Sequence, residues 1–446
     1  MNGEIMKPAN ELWFDGPNYT ADAIVIAEDK QKILLIERSD GGGWALPGGF
    51  VNDHESSLAA AIREAKEEAA ADLPDGQLVY HGIVDDPRNN ERAWIETDAY
   101  LFSLPHTADV QPNDDAQDAA WFALAELPPL YASHSAIVQR ALDIRQSIQK
   151  IANIPADAPV MAIDGGLMNY SKNIVIGPNA AIFIKSYDSP EADLLHLAAL
   201  QKEAAIVAHL RSAHYPHIPT FSHHIGQDFF MEALPTEHGW QWRAPKTMLD
   251  QYIQDCLNAF AALETAPIPS DTTDIPSSLA VYHDEGWRTL DNERLAEFIE
   301  RTTPQLYPDS QVTAKRLLDN IAELRRAAST LPHPDTYVFC HHDARQANIA
   351  WHPDRGVRLV DWSWADIGRP RSDATMLLID LHKHGHDITP YRDVLCLEHA
   401  MTLMGFWLNH ALRPIGERDQ NIRLQQFVSA LAAYEVLTAC GSGVCL

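Results

Sequence analysis

Three carboxylates, Glu64, Glu67 and Glu68, stand at helical spacing behind a glycine pair, Gly48 and Gly49, in the stretch GGFVNDHESSLAAAIREAKEE. Side chains three and four residues apart share a helix face, and like charges there repel. A divalent cation offsets that repulsion. Mg2+ and Mn2+ take oxygen ligands, typically one or two carboxylates together with substrate phosphates. Glycines let backbone groups approach such a ligand without an intervening Cβ. Glu64 and Glu68 are the first choices as metal ligands, with Glu67 sharing metal or base duty. Arg63 is expected to orient a carboxylate through a bidentate pair, with Glu55 as the candidate. A solvated acidic face is the plain reading of Lys-Glu-Glu alone; the glycines and the full spacing favour a metal.

A second set of residues suits phosphoryl transfer. HHDARQAN (341–348) and LVDWSWAD (359–366) supply Asp343, Asn348 and, after an apolar strand, Asp361. An aspartate in the first position orients or deprotonates an acceptor hydroxyl, while the asparagine and second aspartate hold Mg2+ on ATP phosphates. Upstream, DGGLMNYSKNIVI (164–176) offers a glycine turn between strands, and IFIK ends in Lys185, within reach of ATP phosphates. Glu203 and FFMEAL (229–234), with Met231 and Glu232, resemble in their order the Lys–Glu ion pair and inter-lobe hinge of kinase-like phosphotransferases. Surface charge explains Lys185 or Glu203 alone; the ordered set points to a nucleotide site. Tryptophans in HGWQW (238–242) and DWSWAD (361–366) suit either a cationic acceptor or core packing.

The elements that must position these residues fall into two blocks. Residues ~18–130 alternate short β-rich runs with the helix at ~56–71, and the helix HSAIVQRALDIRQSIQKI closes the block. The Pro- and Ala-rich ANIPADAPVMAIDGG places a boundary near 152–158. The second block starts with strands and becomes mostly helical after ~245. With 446 residues and a prior of about 150 per domain, two or three domains are expected. A formal net charge of −28 disfavours nucleic acid, which needs a basic footprint. No apolar run of ~18 residues suggests a membrane span, and no secretory signal is read at the start. The scattered cysteines 256, 340, 396, 440 and 445 fit a reduced cytoplasm.

The spacing of Gly49, Glu55, Arg63, Glu64, Glu67 and Glu68 resembles the signature of Nudix hydrolases, with Gly48 beside it. Two positions depart from the pattern: the family's late glycine is Ala70, expected to extend the helix by part of a turn, and the next aliphatic is Ala71. GPNYTADAI (16–24), VDDPRNNERAWIET (84–97) and LYASHS (130–135) look like the ADP-ribose pyrophosphatase branch. That resemblance implies Mg2+-dependent cleavage of ADP-ribose to AMP and ribose 5-phosphate, with Asp85, Asp86, Arg88, Asn89 and Trp94 near the substrate. A turn is the alternative reading of DDPRN. The later set, His341, Asp343, Asn348 and Asp361, with Asp373 from GRPRSD in a structural position, resembles the aminoglycoside phosphotransferase and choline kinase-like family.

The resemblances together imply an α/β and α+β chain of two domains. Residues 1–152 would form a Nudix α/β/α sandwich, and residues 158–446 a bilobal protein-kinase-like fold. The expected activity is bifunctional: ADP-ribose hydrolysis with Mg2+ or Mn2+, and ATP-dependent phosphorylation of an unidentified small-molecule hydroxyl. The alternatives are hydrolysis of another nucleoside diphosphate derivative, or an ADP-ribose sensor that regulates the kinase-like domain. The partners expected are small molecules, with neither nucleic acid nor membrane.

Overall fold

Alternation in the run Ala21–Ala27 places a strand with both faces buried. Ala21, Ala23 and Val25 join one apolar cluster, and Ile24 and Ile26 join another. This is β1 (Gly16–Ala27), longer at its start than the apolar run alone suggests. The computed structural model describes all residues except 1–11, 13, 75, 114–115, 155–157, 159, 164–170, 178–179, 187–193, 226–227, 270–285, 415–419 and 441–446. The glycine turn expected within 164–176 therefore lies largely outside the described residues.

The strands that follow are β2 (Lys32–Arg38), β3 (Trp44–Ala45) and β4 (Gly48–Phe50); helix α1 (Ser57–Ala69) comes next. Then come β5 (Gln77–Ile83), β6 (Ala93–Leu104), β7 (Ala116–Ala123) and helix α2 (His134–Ala152). The seven strands form one sheet in the order β3-β2-β1-β6-β5, with β4 on β1 and β7 on β2. β1 and β6 run parallel and in register from Gly16↔Ala93 to Ala27↔Leu104. A parallel pair buried on both faces needs cover on both sides. One face takes α1, whose Ala60, Ala61, Ala65 and Ala69 meet Ala21, Ala23 and Val25. The other takes α2, through Ile137, Val138, Ala141, Ile144 and Ile148.

Helix α1 starts where Ser56 accepts the Ala59 N–H at 3.2 Å, which satisfies one of the orphan donors of a helix start. It stops at Ala69. Ala70 adopts the left-handed conformation at φ 55°, and its N–H reaches back to the Lys66 carbonyl while Ala71 N–H reaches Ala65. The expectation that Ala70 extends the helix is thus corrected. The terminating left-handed turn forms without its usual glycine because these two hydrogen bonds satisfy carbonyls at the helix end.

The chain continues with β8 (Val160–Ala162), β9 (Ser171–Ile176), β10 (Ala181–Ser186), helix α3 (Leu194–Ser212), β11 (Ser222–Ile225) and β12 (Asp228–Glu232). The strands form a second sheet in the order β11-β12-β10-β9-β8. Packing groups the chain into two compact units, residues 1–197 with 220–233, and residues 198–219 with 234–446. The five-stranded sheet accordingly packs with the first block, although the sequence division falls near 152–158. Val175, Ile182, Ile184 and Phe230 share one buried cluster with the α2 face of the first sheet.

The second unit is mainly helical. It holds α4 (Leu249–Glu264), α5 (Asn292–Thr302), α6 (Pro308–Asp319) and α7 (Ile321–Ser329). Strands β13 (Val338–Cys340), β14 (Ile349–His352), β15 (Gly356–Leu359) and β16 (Asp366–Gly368) pair as β13–β16 and β14–β15. Helices α8 (Ser372–Lys383), α9 (Leu397–Ala411) and α10 (Gln420–Ala439) complete it. Among the described residues, no helix is long and apolar enough to cross a membrane.

Candidate active sites

The first site is built where β4 faces α1. Glu68 is 5% exposed, and its carboxylate accepts the Gly48 N–H at 2.9 Å. A Cβ at Gly49 would fall on the Glu64 carboxylate, and one at Gly48 on Asp22. Gly49 therefore leaves room for Glu64, while Gly48 leaves room for Asp22 and binds Glu68, one helical turn after Glu64, through its N–H. Arg63 is the hub beside them. Its Nε and one terminal nitrogen donate to both oxygens of Glu55 at 2.9 and 3.0 Å. The same guanidinium donates to the Phe50 carbonyl at 3.0 Å, to Glu64 at 2.6 Å and to Glu67 at 3.0 Å. Hydrogen bonds from Arg63 hold the Glu55 carboxyl down to about 2. Glu67 leans outward, with its side chain 46% exposed.

Among the described residues, no group of three or more His, Cys, Asp or Glu side chains is assembled as a metal cage. The donor chemistry nevertheless fits Mg2+ or Mn2+. These hard ions take one or two protein carboxylates, keep several waters and bind substrate phosphates for the rest. Glu64 and Glu68 supply those carboxylates, and the two glycines supply a cradle that a Cβ would fill.

The loop after β5 is held by its own residues. Asp86 is 5% exposed and receives both Nε and a terminal nitrogen of Arg88, at 2.8 and 2.9 Å. Tyr131 donates its hydroxyl to the same carboxylate at 3.1 Å. Burial pushes Asp86 up, but these bonds outweigh it and its carboxyl sits below the ordinary range. Asn89 clamps the loop, donating to Val84 O at 2.6 Å and accepting from Ile95 N at 2.9 Å. Trp94 donates to Glu96 at 2.6 Å, and Asp85 N donates to Ser133 Oγ at 2.7 Å. Arg88 and Phe50 are stacked 5.8 Å apart, which joins this loop to β4.

Several residues here were not singled out from sequence. Arg38 stacks on Tyr131 at 4.3 Å. Asp22 is buried behind Gly48, accepts the Thr97 hydroxyl at 2.5 Å and lies 3.7 Å from His134. Burial raises the Asp22 carboxyl, and His134 partly offsets that. His134 Nδ1 in turn accepts the Leu46 N–H at 2.9 Å. In sequence, Asp22 lies in GPNYTADAI and Tyr131 and His134 lie in LYASHS, while Arg38 lies in neither segment.

In the second unit, Asn348 donates to the Asp343 carboxylate at 2.8 Å and to the Asp343 carbonyl at 2.9 Å. Arg345 forms a fork on Asp343 at 2.5 and 2.8 Å, a partner two residues on that sequence reading passed over. Asp373 accepts the His341 N–H at 2.7 Å and the His342 N–H at 2.9 Å. Burial pushes Asp373 up to about 7 against the pull of those two amides. His342 and Asp361 are left-handed, at φ 62° and 66°. Non-glycine residues are uncommon there, and such positions cluster at functional sites. The His341 ring bonds Val360 O at 3.0 Å, and burial lowers its basicity while Asp343 and Asp361 oppose that. Glu203, 1% exposed, accepts the N–H of Trp362 at 3.3 Å and so caps the residue that follows Asp361.

Lys185 lies in the first unit on β10, 6% exposed, and Met231 is 4% exposed on β12. Glu232 accepts the Thr220 N–H at 2.6 Å. Of the tryptophans, Trp362 and Trp240 are 0% and 2% exposed, so packing claims both side chains.

Two family models match the chain: one described as NUDIX domain over residues 17–141, and one described as phosphotransferase enzyme family over residues 182–395. The chain is similar to nudix hydrolase 6 of Caenorhabditis elegans, 37% identical over 137 residues, covering 27% of this chain and 53% of that protein. It is similar to the mitochondrial ADP-ribose pyrophosphatase of Rattus norvegicus, 31% identical over 172 residues, covering 30% and 49%. The ADP-ribose pyrophosphatase of Methanocaldococcus jannaschii is 32% identical over 126 residues, covering 28% and 72%. The chain thus spans about half the length of the first two and most of the third.

Proposed function

The chain belongs to the Nudix family and carries a phosphotransferase-family domain behind it, and from that premise we propose a bifunctional enzyme. The first activity is hydrolysis of ADP-ribose to AMP and ribose 5-phosphate. The second is phosphoryl transfer from ATP to a small-molecule hydroxyl. The functional division we propose is residues 1–152 and 158–446, and free thiols at Cys256, Cys340, Cys396 and Cys440 suit a reducing, cytoplasmic setting.

The observation that carries the first activity is the placement of Glu64 and Glu68 against the Gly48–Gly49 backbone. These carboxylates would hold Mg2+ or Mn2+, which when bound neutralises the pyrophosphate and polarises the phosphorus under attack. Glu67, exposed and adjacent, is the residue to accept a proton from water. The water oxygen bonds to phosphorus, the bridging P–O bond breaks, and the two monophosphates separate. Arg63 keeps Glu55 and Glu64 in place. The names of two of the relatives support ADP-ribose as substrate, and Arg88, Asn89, Asp86 and Trp94 are the residues proposed to face it.

For the second activity, Asp343 would position the acceptor hydroxyl, Asn348 and Asp361 would hold Mg2+, and Lys185 would contact ATP phosphates. Glu203 and Asp373 support these residues, with Met231 and Glu232 as nucleotide-contacting strand residues. The acceptor oxygen bonds to the γ-phosphorus, its proton leaves toward Asp343, and ADP departs.

A substrate panel tests the first activity. With Mg2+ present, ADP-ribose should be hydrolysed with kcat/KM at least tenfold above NAD, ATP and sugar nucleotides. A better substrate among those would overturn the assignment. A metabolite screen with ATP, read by mass, tests the second. One observation favours a regulatory reading beside these. The sheet that carries Lys185 shares a hydrophobic cluster with the hydrolase fold, and an effect of ADP-ribose on ATP turnover would support it.

A further inference from the structure

Helix α2 serves two sheets at once. Its buried Ile137, Val138, Ala141, Ile144 and Ile148 lie in the same cluster as Val175 of β9, Ile182 and Ile184 of β10, and Phe230 of β12. A polar clamp runs through this apolar contact. Arg140 Nε donates to the Val79 carbonyl of β5 at 2.7 Å, and its terminal nitrogens donate to the two oxygens of Asp228 at 3.2 and 3.0 Å. Asp228 Oδ1 also accepts the Ser186 hydroxyl at 2.6 Å. The Arg140 and Asp228 side chains are only 16% and 9% exposed.

The position of this clamp in the ladder gives it meaning. Ser186 and Asp228 face each other across β10 and β12, and the adjacent rung pairs Lys185 with Phe229. β10 ends at Ser186. The clamp therefore closes the ladder one residue beyond Lys185, at the end where strands otherwise fray. A planar guanidinium matches the two carboxylate oxygens and the Val79 carbonyl together, which an ammonium cannot do. Removing the guanidinium leaves the buried Asp228 carboxylate without its forked partner.

We propose that Arg140, a residue of the hydrolase fold, is a positioning residue for nucleotide binding by the phosphotransferase domain. Acting through Asp228 and Ser186, it sets the strand end that presents Lys185. The proposal rests on the reading of Lys185 as an ATP-phosphate contact. It leaves the chemistry of the two sites separate while joining their scaffolds.

The test uses the full chain with Arg140→Lys and Asp228→Asn, the second approaching the clamp from the sheet side. Three quantities are measured well below the unfolding temperature: the Kd for Mg-ATP by calorimetry, ADP-ribose kcat/KM, and amide hydrogen exchange. In both variants the Kd should rise at least fivefold. Exchange over 181–186 and 228–232 should accelerate at least tenfold, with no change over 16–27, and ADP-ribose kcat/KM should stay within about twofold. A purely structural clamp would lower the melting temperature and leave the Kd alone. Wild-type binding of Mg-ATP with an unchanged Kd in a folded variant would overturn the proposal by itself. Failure of the wild-type chain to bind Mg-ATP would overturn the phosphotransferase reading, and the proposal with it.

Discussion

The Glu68 carboxylate accepts the N–H of Gly48 at 2.9 Å across twenty residues of sequence, so helix α1 and strand β4 fix one another at the point where Glu64 also arrives. Glu68→Gln preserves size and removes the charge. ADP-ribose hydrolysis should fall by roughly 10²-fold or more, about 3 kcal/mol of transition-state stabilisation. Initial rates at saturating Mg2+ measure it. A near wild-type rate would remove Glu68 from the ligand set.

Gly49 is needed for space, since it is not among the positive-φ glycines, and an added Cβ would meet the Glu64 carboxylate. Gly49→Ala should displace Glu64 and lower hydrolysis at least tenfold, about 1.4 kcal/mol. Because the backbone accepts alanine there, the secondary structure should stay intact. A Mg2+ titration of the rate should show weaker metal binding by the variant, as a higher half-saturating concentration.

The Asp343 carboxylate accepts hydrogen bonds from Asn348 and Arg345, both of its own loop. Asp343→Ala should abolish phosphoryl transfer and leave ADP-ribose hydrolysis within about twofold. Glu68→Gln should do the reverse. Both reactions assayed on both variants decide this, and a folded Asp343→Ala protein that has lost hydrolysis would contradict separate chemistry.

Glu55 makes stability depend on pH with a definite sign. Its carboxyl is held at about 2 in the folded chain, against an ordinary 4.5. Between those values the unfolded chain binds a proton that the native chain does not, so stability rises with pH. The contribution is complete above 4.5 and is lost as pH falls through about 2. Urea midpoints of wild type and Glu55→Gln should therefore differ most above pH 5 and converge toward pH 2. A difference that stays constant with pH would mean that the pair contributes nothing through ionisation.

Much of this was legible because it is local. The spacing of Glu64, Glu67 and Glu68 needs only helix geometry, and Asp343 with Asn348 needs only one short loop. Glu67 and Glu68 look equivalent in sequence, yet one is buried on Gly48 and the other is exposed on Arg63. Tertiary packing separates them, and nothing in the sequence spacing does. Ala70 was misread for a related reason. Alanine favours helix, but the end of α1 is set by the hydrogen bonds of Ala70 and Ala71. Ala70→Gly should relieve the left-handed strain and, after the unfolded-state entropy of glycine is subtracted, stabilise by less than about 1 kcal/mol. A urea melt that loses stability instead would argue against that conformation. The stripe Ile137, Val138, Ala141, Ile144 and Ile148 is plainly apolar in sequence, but which second surface covers it depends on residues ~30–90 positions later.

The cluster shared by α2 and the five-stranded sheet also orders events during synthesis. Synthesis of helix α2 ends at residue 152, while Asp228 and Phe230 follow some 80 residues later. At elongation rates of roughly 5–20 residues per second, that gap lasts about 4–16 s. During it, the part of the α2 surface destined for Ile182, Ile184 and Phe230 has no cover, and Arg140 lacks Asp228. The nascent hydrolase fold is therefore completed only as the phosphotransferase sheet emerges, and chaperone engagement of stalled chains should drop sharply once the stall point passes β12.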